Sequence, residues 1–265
     1  MDLEVEGKVA LITGGSKGIG FASAMRLAEE GCDVGLVARN EEVLKATANK
    51  ISEATGRRAV IAVGDVSETS DVERATDEVR NALGEIDILV TCAGSSPGGL
   101  IEGLTDEQWF SSLNLKFMGY VRSVRAVLPA MRERGSGSVV MVVGNDGIKP
   151  TYWETTAGVA NAADINFASA MAEQYGRYGI RVNTVNPGPV NTSRWDTLEK
   201  AFARDKGVDQ QRAHDLAIQS IPVGRICEPE EVADLVAFLA SERASFINGA
   251  HILIDGSQRK AIMDL

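Results

Sequence analysis

The sequence predicts a single doubly wound, Rossmann-like α/β domain: a seven-stranded parallel sheet with helices on both faces. Short runs rich in Val and Ile alternate with longer amphipathic stretches along the whole chain. The short runs do not alternate between polar and apolar residues, which is typical of strands buried on both faces of a parallel sheet. Regular β-α-β alternation requires right-handed crossovers and therefore places helices on both faces.

Seven apolar runs are the predicted strands, and six stretches between them are the predicted helices. The strands are residues 9–13, 34–38, 59–63, 86–91, 139–143, 180–185 and 252–254. The helices are residues 18–30, 41–54, 71–83, 106–133, 157–178 and 230–240. Two segments interrupt this rhythm: an irregular loop at 144–156 and a polar, helix-like insertion at about 193–222. We expect the insertion to cover a substrate within one domain of residues 1–265.

Composition excludes several classes of function. The chain has 27 basic and 37 acidic residues, and a net charge of −10 disfavours nucleic acid and anionic membranes as partners. Three scattered cysteines favour a reducing compartment without disulfides. No apolar run is long enough for a membrane helix, and the acidic start has no signal-like segment. We expect a cytoplasmic protein without a metal site, since neither His214 nor His251 has ligands at metal spacing.

A glycine-rich turn follows the first predicted strand and opens the first helix. It comprises Thr13, Gly14, Gly15, Ser16, Lys17, Gly18, Ile19 and Gly20. Small residues let the backbone approach a diphosphate closely, and the helix N-terminus offers free N–H groups. In this strand–turn–helix context the motif predicts a dinucleotide site.

The end of the second strand indicates which dinucleotide is bound. NAD-binding proteins place an acid there for the ribose hydroxyls, but this strand ends in Ala38, Arg39 and Asn40. Arg39 and Lys17 are two cations that suit a 2′-phosphate, so NADP(H) is favoured over NAD(H). The alternative is that both are solvated surface charges. Asp65, after the third strand, either caps the next helix or meets the adenine.

Together these motifs resemble the short-chain dehydrogenase/reductase family over nearly the whole chain. The residues that carry the resemblance are the glycine-rich turn, Asp65-Val66, Ala93-Gly94, Asn114, the run from Asn186 to Thr192, and the run from Gly249 to Gly256. The resemblance implies that Gly14, Gly18 and Gly20 hold the phosphates, Asp65 and Val66 the adenine, and Ala93 and Gly94 the ribose. It places Pro187, Gly188, Val190 and Thr192 against the nicotinamide. It also implies a homotetramer or dimer that transfers hydride between the nicotinamide and a small alcohol or carbonyl substrate.

The resemblance fails at the residues that move the proton. The family uses a Tyr with a Lys four residues later, and a Ser after the fifth strand. Counting from the flanking motifs, those positions are Ala157, Asn161 and Gly144, and no Tyr-x-x-x-Lys occurs anywhere in the chain. Only Asn114, which in the family supports a relay water, is retained. Losing a positioned general acid typically costs about 10²–10⁴ in rate.

Two side chains of the 144–156 loop are candidate substitutes for the missing proton donor, namely Tyr152 and Glu154. The alternative is that Tyr152 packs or lines the substrate and Glu154 is solvated. Three functions remain open: an NADP(H)-dependent oxidoreductase with an altered proton-transfer site, a catalytically silent nucleotide-binding or partner subunit, and a non-redox enzyme on the same scaffold.

Overall fold

The computed structural model describes residues 1–259, and it confirms the predicted fold class. One sheet has the strand order β3-β2-β1-β4-β5-β6-β7, with every neighbouring pair parallel. The strands are β1 (Val9–Thr13), β2 (Asp33–Ala38), β3 (Ala59–Val63), β4 (Ile88–Thr91), β5 (Gly137–Val142), β6 (Ile180–Pro187) and β7 (His251–Ile254).

Nine α-helices occur among the described residues. They are α1 (Gly18–Glu29), α2 (Glu41–Thr55), α3 (Thr69–Leu83), α4 (Asp106–Leu113), α5 (Gly119–Arg134), α6 (Thr155–Gly176), α7 (Ser193–Lys206), α8 (Gln210–Ser220) and α9 (Pro229–Ala240). One apolar cluster joins the sheet to α1, α2 and α9, and a second joins the opposite face to α3, α5 and α6. No helix in this part of the chain is both long and apolar enough to span a bilayer.

The strand order places the ligand-binding crevice. From β1 the chain builds outward to β3 and then crosses back to β4, on the other side of β1. Beyond the carboxyl ends of β1 and β4 the crossovers therefore leave in opposite directions, which opens a crevice where doubly wound sheets bind ligands.

One predicted helix, residues 106–133, is interrupted in the structure. A π-helical turn over Asn114–Met118 separates α4 from α5. Such single π-helical turns occur inside longer helices and accommodate an extra residue. Pro129 lies inside α5 without ending it. The insertion at about 193–222 forms α7 and α8, and a separate small cluster that includes Phe202 and Trp153 holds them together.

Candidate functional site

The glycine-rich turn is packed so closely that two of its glycines have no room for a side chain. Gly14 has a φ of +70°, and a Cβ there would lie 2.7 Å from the Ala93 nitrogen. A Cβ on Gly20 would lie 2.2 Å from the Gly14 carbonyl oxygen. The turn therefore brings the start of α1 against the ends of both β1 and β4.

The first turn of α1 leaves its backbone donors open. Lys17 occupies the N-cap position in an extended conformation, and its side chain makes no capping hydrogen bond. The amides at a helix start have no intrahelical acceptor, and together with the helix dipole they attract anions. An uncapped N-terminus beside a glycine cradle fits the diphosphate of a dinucleotide.

A cavity of about 560 Å³ opens above the carboxyl ends of the central strands. Every residue that the sequence predicts to contact the cofactor lines it: Gly14, Ser16, Lys17, Gly18, Ile19, Gly20, Arg39, Asp65, Val66, Ala93, Gly94, Pro187, Gly188, Val190 and Thr192. Residues more than 170 positions apart in the chain thus meet around a single space, because parallel strands end at the same edge of the sheet.

Arg39 and Asp65 lie at the β2–β3 end of this cavity. The Arg39 side chain is 74% exposed, and its guanidinium is 3.7 Å from the Asp65 carboxylate. Asp65 also accepts hydrogen bonds from the Ser67 amide and hydroxyl at 2.9 and 2.5 Å. Asp65 does not cap α3, whose N-cap residue is Glu68. Arg39 is therefore solvated and still borders the cavity, held near it by Asp65.

The positions predicted for the missing Ser, Tyr and Lys lie together at the other end of the cavity. Gly144, Ala157 and Asn161 all line it. The Asn161 amide donates a hydrogen bond to the carboxylate of Asp146. A Cβ at Gly144 would lie 2.6 Å from that Asp146 oxygen and 2.7 Å from the Asn161 nitrogen. The Asp146–Asn161 pair thus occupies the space that a side chain at residue 144 would need.

Glu154 also lines this end of the cavity, at the residue that precedes α6. Burial raises the pKa of its carboxyl to about 7, and the negative charge of Asp146 adds to the effect. The positive charges of Lys116 and Arg194 act in the opposite direction. A carboxyl group with a pKa near neutrality is partly protonated under ordinary conditions, which is the property required of a general acid.

The other two candidate catalytic residues are placed differently. Tyr152 is 48% exposed and is not part of the cavity lining. The Asn114 side chain accepts a hydrogen bond from Arg122 at 2.7 Å and donates one to the Ser67 carbonyl at 3.3 Å. The Asn114 carbonyl is also bonded by Arg122, at 3.1 Å. In this arrangement Asn114 ties the π-helical turn to the loop after β3, and its role in a proton relay stays a prediction.

Several bonds fix the loop and the insertion around this end. Lys149 lines the cavity but its ammonium is paired with Asp255, 2.5 Å away. Arg194, in the first turn of α7, donates to the Ser96 carbonyl at 2.6 Å. His214 and the buried Glu199 join α8 to α7 through a 2.9 Å hydrogen bond. Among residues 1–259 no cluster of His, Cys, Asp or Glu could hold a metal ion.

Sequence reasoning missed two charged residues here, Lys116 and Asp164. Lys116 lies in the π-helical turn and lines the cavity. Asp164 is fully buried in α6, and neither of its carboxyl oxygens has a hydrogen-bond partner among the described residues. Burial raises the pKa of Asp164 to about 8 although Lys116 opposes the shift. An acid inside a run of small and apolar residues, between Ala163 and Ile165, was the available signal.

Replacing Asp164 with Asn is expected to stabilise the protein, increasingly so as the pH rises. An unfolded Asp ionises near its ordinary pKa of 3.8, whereas the native carboxyl stays protonated up to about 8. The free energy of unfolding of the unmodified protein should therefore fall between about pH 4 and pH 8 and then level off. Asn has no proton to lose, so the gain should reach a few kcal/mol, since each pKa unit corresponds to about 1.4 kcal/mol.

Urea unfolding at pH 5, 7 and 9 measures this difference. Asp196→Asn, on the exposed surface of α7, is the matched control and should change little at any pH. A stability difference for Asp164→Asn that did not vary with pH would contradict a protonated native carboxyl.

A parallel sheet with a glycine-rich turn at its switch point is typical of doubly wound dinucleotide-binding proteins. Comparison with known proteins narrows this class. A family model described as Enoyl-(Acyl carrier protein) reductase matches residues 14–257. The chain belongs to the short-chain dehydrogenase/reductase family, and it is an oxidoreductase of that type.

Three relatives illustrate the match. The 3-oxoacyl-(acyl-carrier-protein) reductase FabG of Chlamydia trachomatis serovar D is 32% identical over 252 residues, which cover 94% of this chain and 96% of the relative. L-sorbose reductase from Gluconobacter frateurii, complexed with NADPH and L-sorbose, is 34% identical with a TM-score of 0.91 and full coverage of both chains. NAD⁺-bound xylitol dehydrogenase is 27% identical with a TM-score of 0.91, over 96% of this chain and all of the other. Relatives with similar folds thus bind either nicotinamide dinucleotide.

Proposed function

We propose that this protein is an NADP(H)-dependent oxidoreductase for a small carbonyl or alcohol substrate, with Glu154 as its proton donor. One observation carries the proposal: the Glu154 carboxyl borders the same end of the cavity as Gly144, Ala157 and Asn161. These are the positions to which the sequence resemblance assigns the family's Ser, Tyr and Lys. Glu154 immediately precedes α6 and lines the cavity together with Ala157, so its carboxyl takes the place of the missing phenol in this proposal.

The raised pKa of Glu154 suits this role. Near neutral pH a large fraction of the carboxyl is protonated, because its pKa lies at about 7. A bound NADPH would supply the hydride for reduction. Glu154 would donate its proton to the carbonyl oxygen of the substrate as that oxygen becomes negative. In the direction of oxidation the ionised carboxylate accepts the proton of the alcohol. Arg194 and Lys116 stabilise the carboxylate once the proton has left.

In this proposal the insertion at about 193–222 encloses the substrate. Arg194, Trp195 and Leu198 of α7 contribute to the lining of the cavity, so α7 covers the carbonyl during the reaction and α8 packs against α7. Two apolar residues beside one cation suit a small substrate with a polar and an apolar side. We further propose a cytoplasmic enzyme that assembles into homotetramers or dimers, as the sequence resemblance implies.

The preference for NADP(H) rests on Arg39 and Lys17. Both border the cavity, and β2 ends without the acidic residue that would bind an unphosphorylated ribose and repel a 2′-phosphate. Arg39 makes only a weak, exposed ion pair of 3.7 Å with Asp65. Being exposed, its guanidinium can turn towards a phosphate at little cost.

Arg39→Met should weaken NADPH binding about tenfold and leave NADH binding unchanged, because a charged hydrogen bond contributes about 1.5–3 kcal/mol before solvent screening reduces it. Titration of the purified protein with each reduced nucleotide, followed by nucleotide fluorescence, gives both dissociation constants. Lys45→Met is the control: Lys45 is exposed on α2 and pairs with Glu41. Equal losses for the two nucleotides would show that Arg39 does not select the 2′-phosphate.

Turnover separates this proposal from a silent subunit. NADPH consumption should be measured over a panel of aldehydes, ketones and keto acids, with NADPH binding measured in parallel. Binding without any consumption would favour a structural use of the nucleotide, and product formation without nucleotide exchange would favour a non-redox reaction.

A further inference from the structure

Lys116 reaches the cavity from the π-helical turn, which packs against α6. Its aliphatic stem lies over Gly94: a Cβ built on that glycine would be 3.1, 3.4 and 3.6 Å from the γ, ε and δ carbons of the lysine. A residue with a side chain at 94 would therefore displace the stem. The bare backbone at Gly94 serves as the surface along which Lys116 reaches the cavity.

The ammonium group of Lys116 is near enough to two acids to act on their ionisation but pairs with neither. Its positive charge lowers the pKa of both Glu154 and Asp164. Within residues 1–259, however, Lys116 has neither an ion pair within 4.0 Å nor a side-chain hydrogen bond. At pH 7 Asp164 is mostly protonated and Glu154 is about half protonated, since burial raises their pKa values to about 8 and about 7. The cavity thus contains a cation that has no ion-pair partner among residues 1–259 and whose charge Glu154 offsets only in part.

Position 161 cannot supply that cation. Asn161 is almost fully buried, and its amide is bonded to Asp146. The family resemblance implies a lysine at this position that binds the nicotinamide ribose, and a neutral amide engaged with Asp146 does not replace it.

We propose that Lys116 is the relocated cation of the nicotinamide end, binding the ribose hydroxyls there from the π-helical turn instead of from α6. This inference rests on the proposed NADP(H) site. The π-helical turn over Asn114–Met118 sets the direction of the side chain, and Gly94, which the family resemblance places at the ribose, provides its path. Proton donor and cation are therefore contributed by different elements, whereas the family takes both from one helix.

The test uses two ligands that share the adenosine half. NADPH carries the nicotinamide ribose, and adenosine 2′,5′-bisphosphate lacks it. Lys116→Met keeps the length of the stem and removes the charge, so its dissociation constant for NADPH should rise about ten- to a hundredfold, as expected for a lost charged hydrogen bond. Its dissociation constant for adenosine 2′,5′-bisphosphate should stay within about twofold. Lys200→Met, exposed on α7, is the control and should bind both ligands normally.

A second variant tests whether a lysine at position 161 can replace the charge of Lys116. Adding Asn161→Lys to Lys116→Met should recover most of the lost NADPH affinity. Unchanged NADPH affinity in Lys116→Met, or an equal loss for both ligands, would overturn the assignment of Lys116. Failure of the unmodified protein to bind NADPH at all would instead refute the proposed function.

Discussion

Glu154→Gln is expected to lower kcat/KM for carbonyl reduction by about 10²–10⁴, the usual contribution of a positioned general acid. Gln keeps the shape of the side chain and loses the transferable proton. The unmodified enzyme should lose activity as the pH rises through about 7, where the carboxyl gives up its proton. Glu154→Gln should show a low rate without that decline. Steady-state kinetics between pH 5.5 and 9 measure both effects.

Two controls separate proton donation from a general disturbance of the site. Glu230→Gln changes an exposed carboxyl on α9 and should leave the kinetics intact. NADPH affinity of Glu154→Gln should stay close to that of the unmodified protein, because the change affects the reacting end. Should the variant retain full activity with an unaltered pH profile, Glu154 has no part in proton transfer and Tyr152 becomes the next candidate.

Gly20→Ala is expected to abolish cofactor binding and to destabilise the domain. The added carbon would lie 2.2 Å from the Gly14 carbonyl oxygen, a backbone atom of the turn itself. To relieve this clash, α1 must move away from the turn. The open amides at the start of α1 then no longer reach the diphosphate that they should bind. NADPH affinity should fall more than a hundredfold, and the free energy of unfolding should fall by about 1–3 kcal/mol, as in other overpacked sites.

The matched control is Gly103→Ala, where an added Cβ meets nothing within 4 Å. Fluorescence titration and urea unfolding of both variants provide the comparison. If Gly20→Ala bound NADPH normally, the close packing of the turn would not be what prepares the cofactor site.

The fold was predictable because strands covered on both faces of a sheet need uninterrupted runs of buriable residues, and such runs are visible in the sequence. A strand such as β4 is covered on both faces, so every residue from Ile88 to Thr91 is buried, and the strand reads as a continuous run without charged residues. The phosphate turn was predictable for a similar reason: its glycines meet a local steric demand that is visible in a few consecutive residues. The ends of elements were less accurate, and β4 begins at Ile88 rather than at residue 86.

The reacting end of the cavity was only partly predictable. The sequence could name Tyr152 and Glu154 as candidates, but the direction of each side chain depends on how the loop enters α6. Glu154 lines the cavity, and Tyr152 lies outside the lining and is half exposed. Lys116 gave no sequence signal, since a lysine in an amphipathic helix normally faces solvent. Its direction depends on the π-helical turn, which no pattern in the sequence predicts.

That turn makes the length of the chain between α4 and α5 critical. Deletion of one residue from Asn114–Met118 would restore regular helical bonding and rotate everything downstream by about 100°, one residue's share of a turn. Tyr120, which is buried and donates to the Val142 carbonyl at 2.7 Å, would then swing out of the core. Homologues that lack the extra residue must orient this segment differently, so lysines aligned with Lys116 by sequence alone need not share its position.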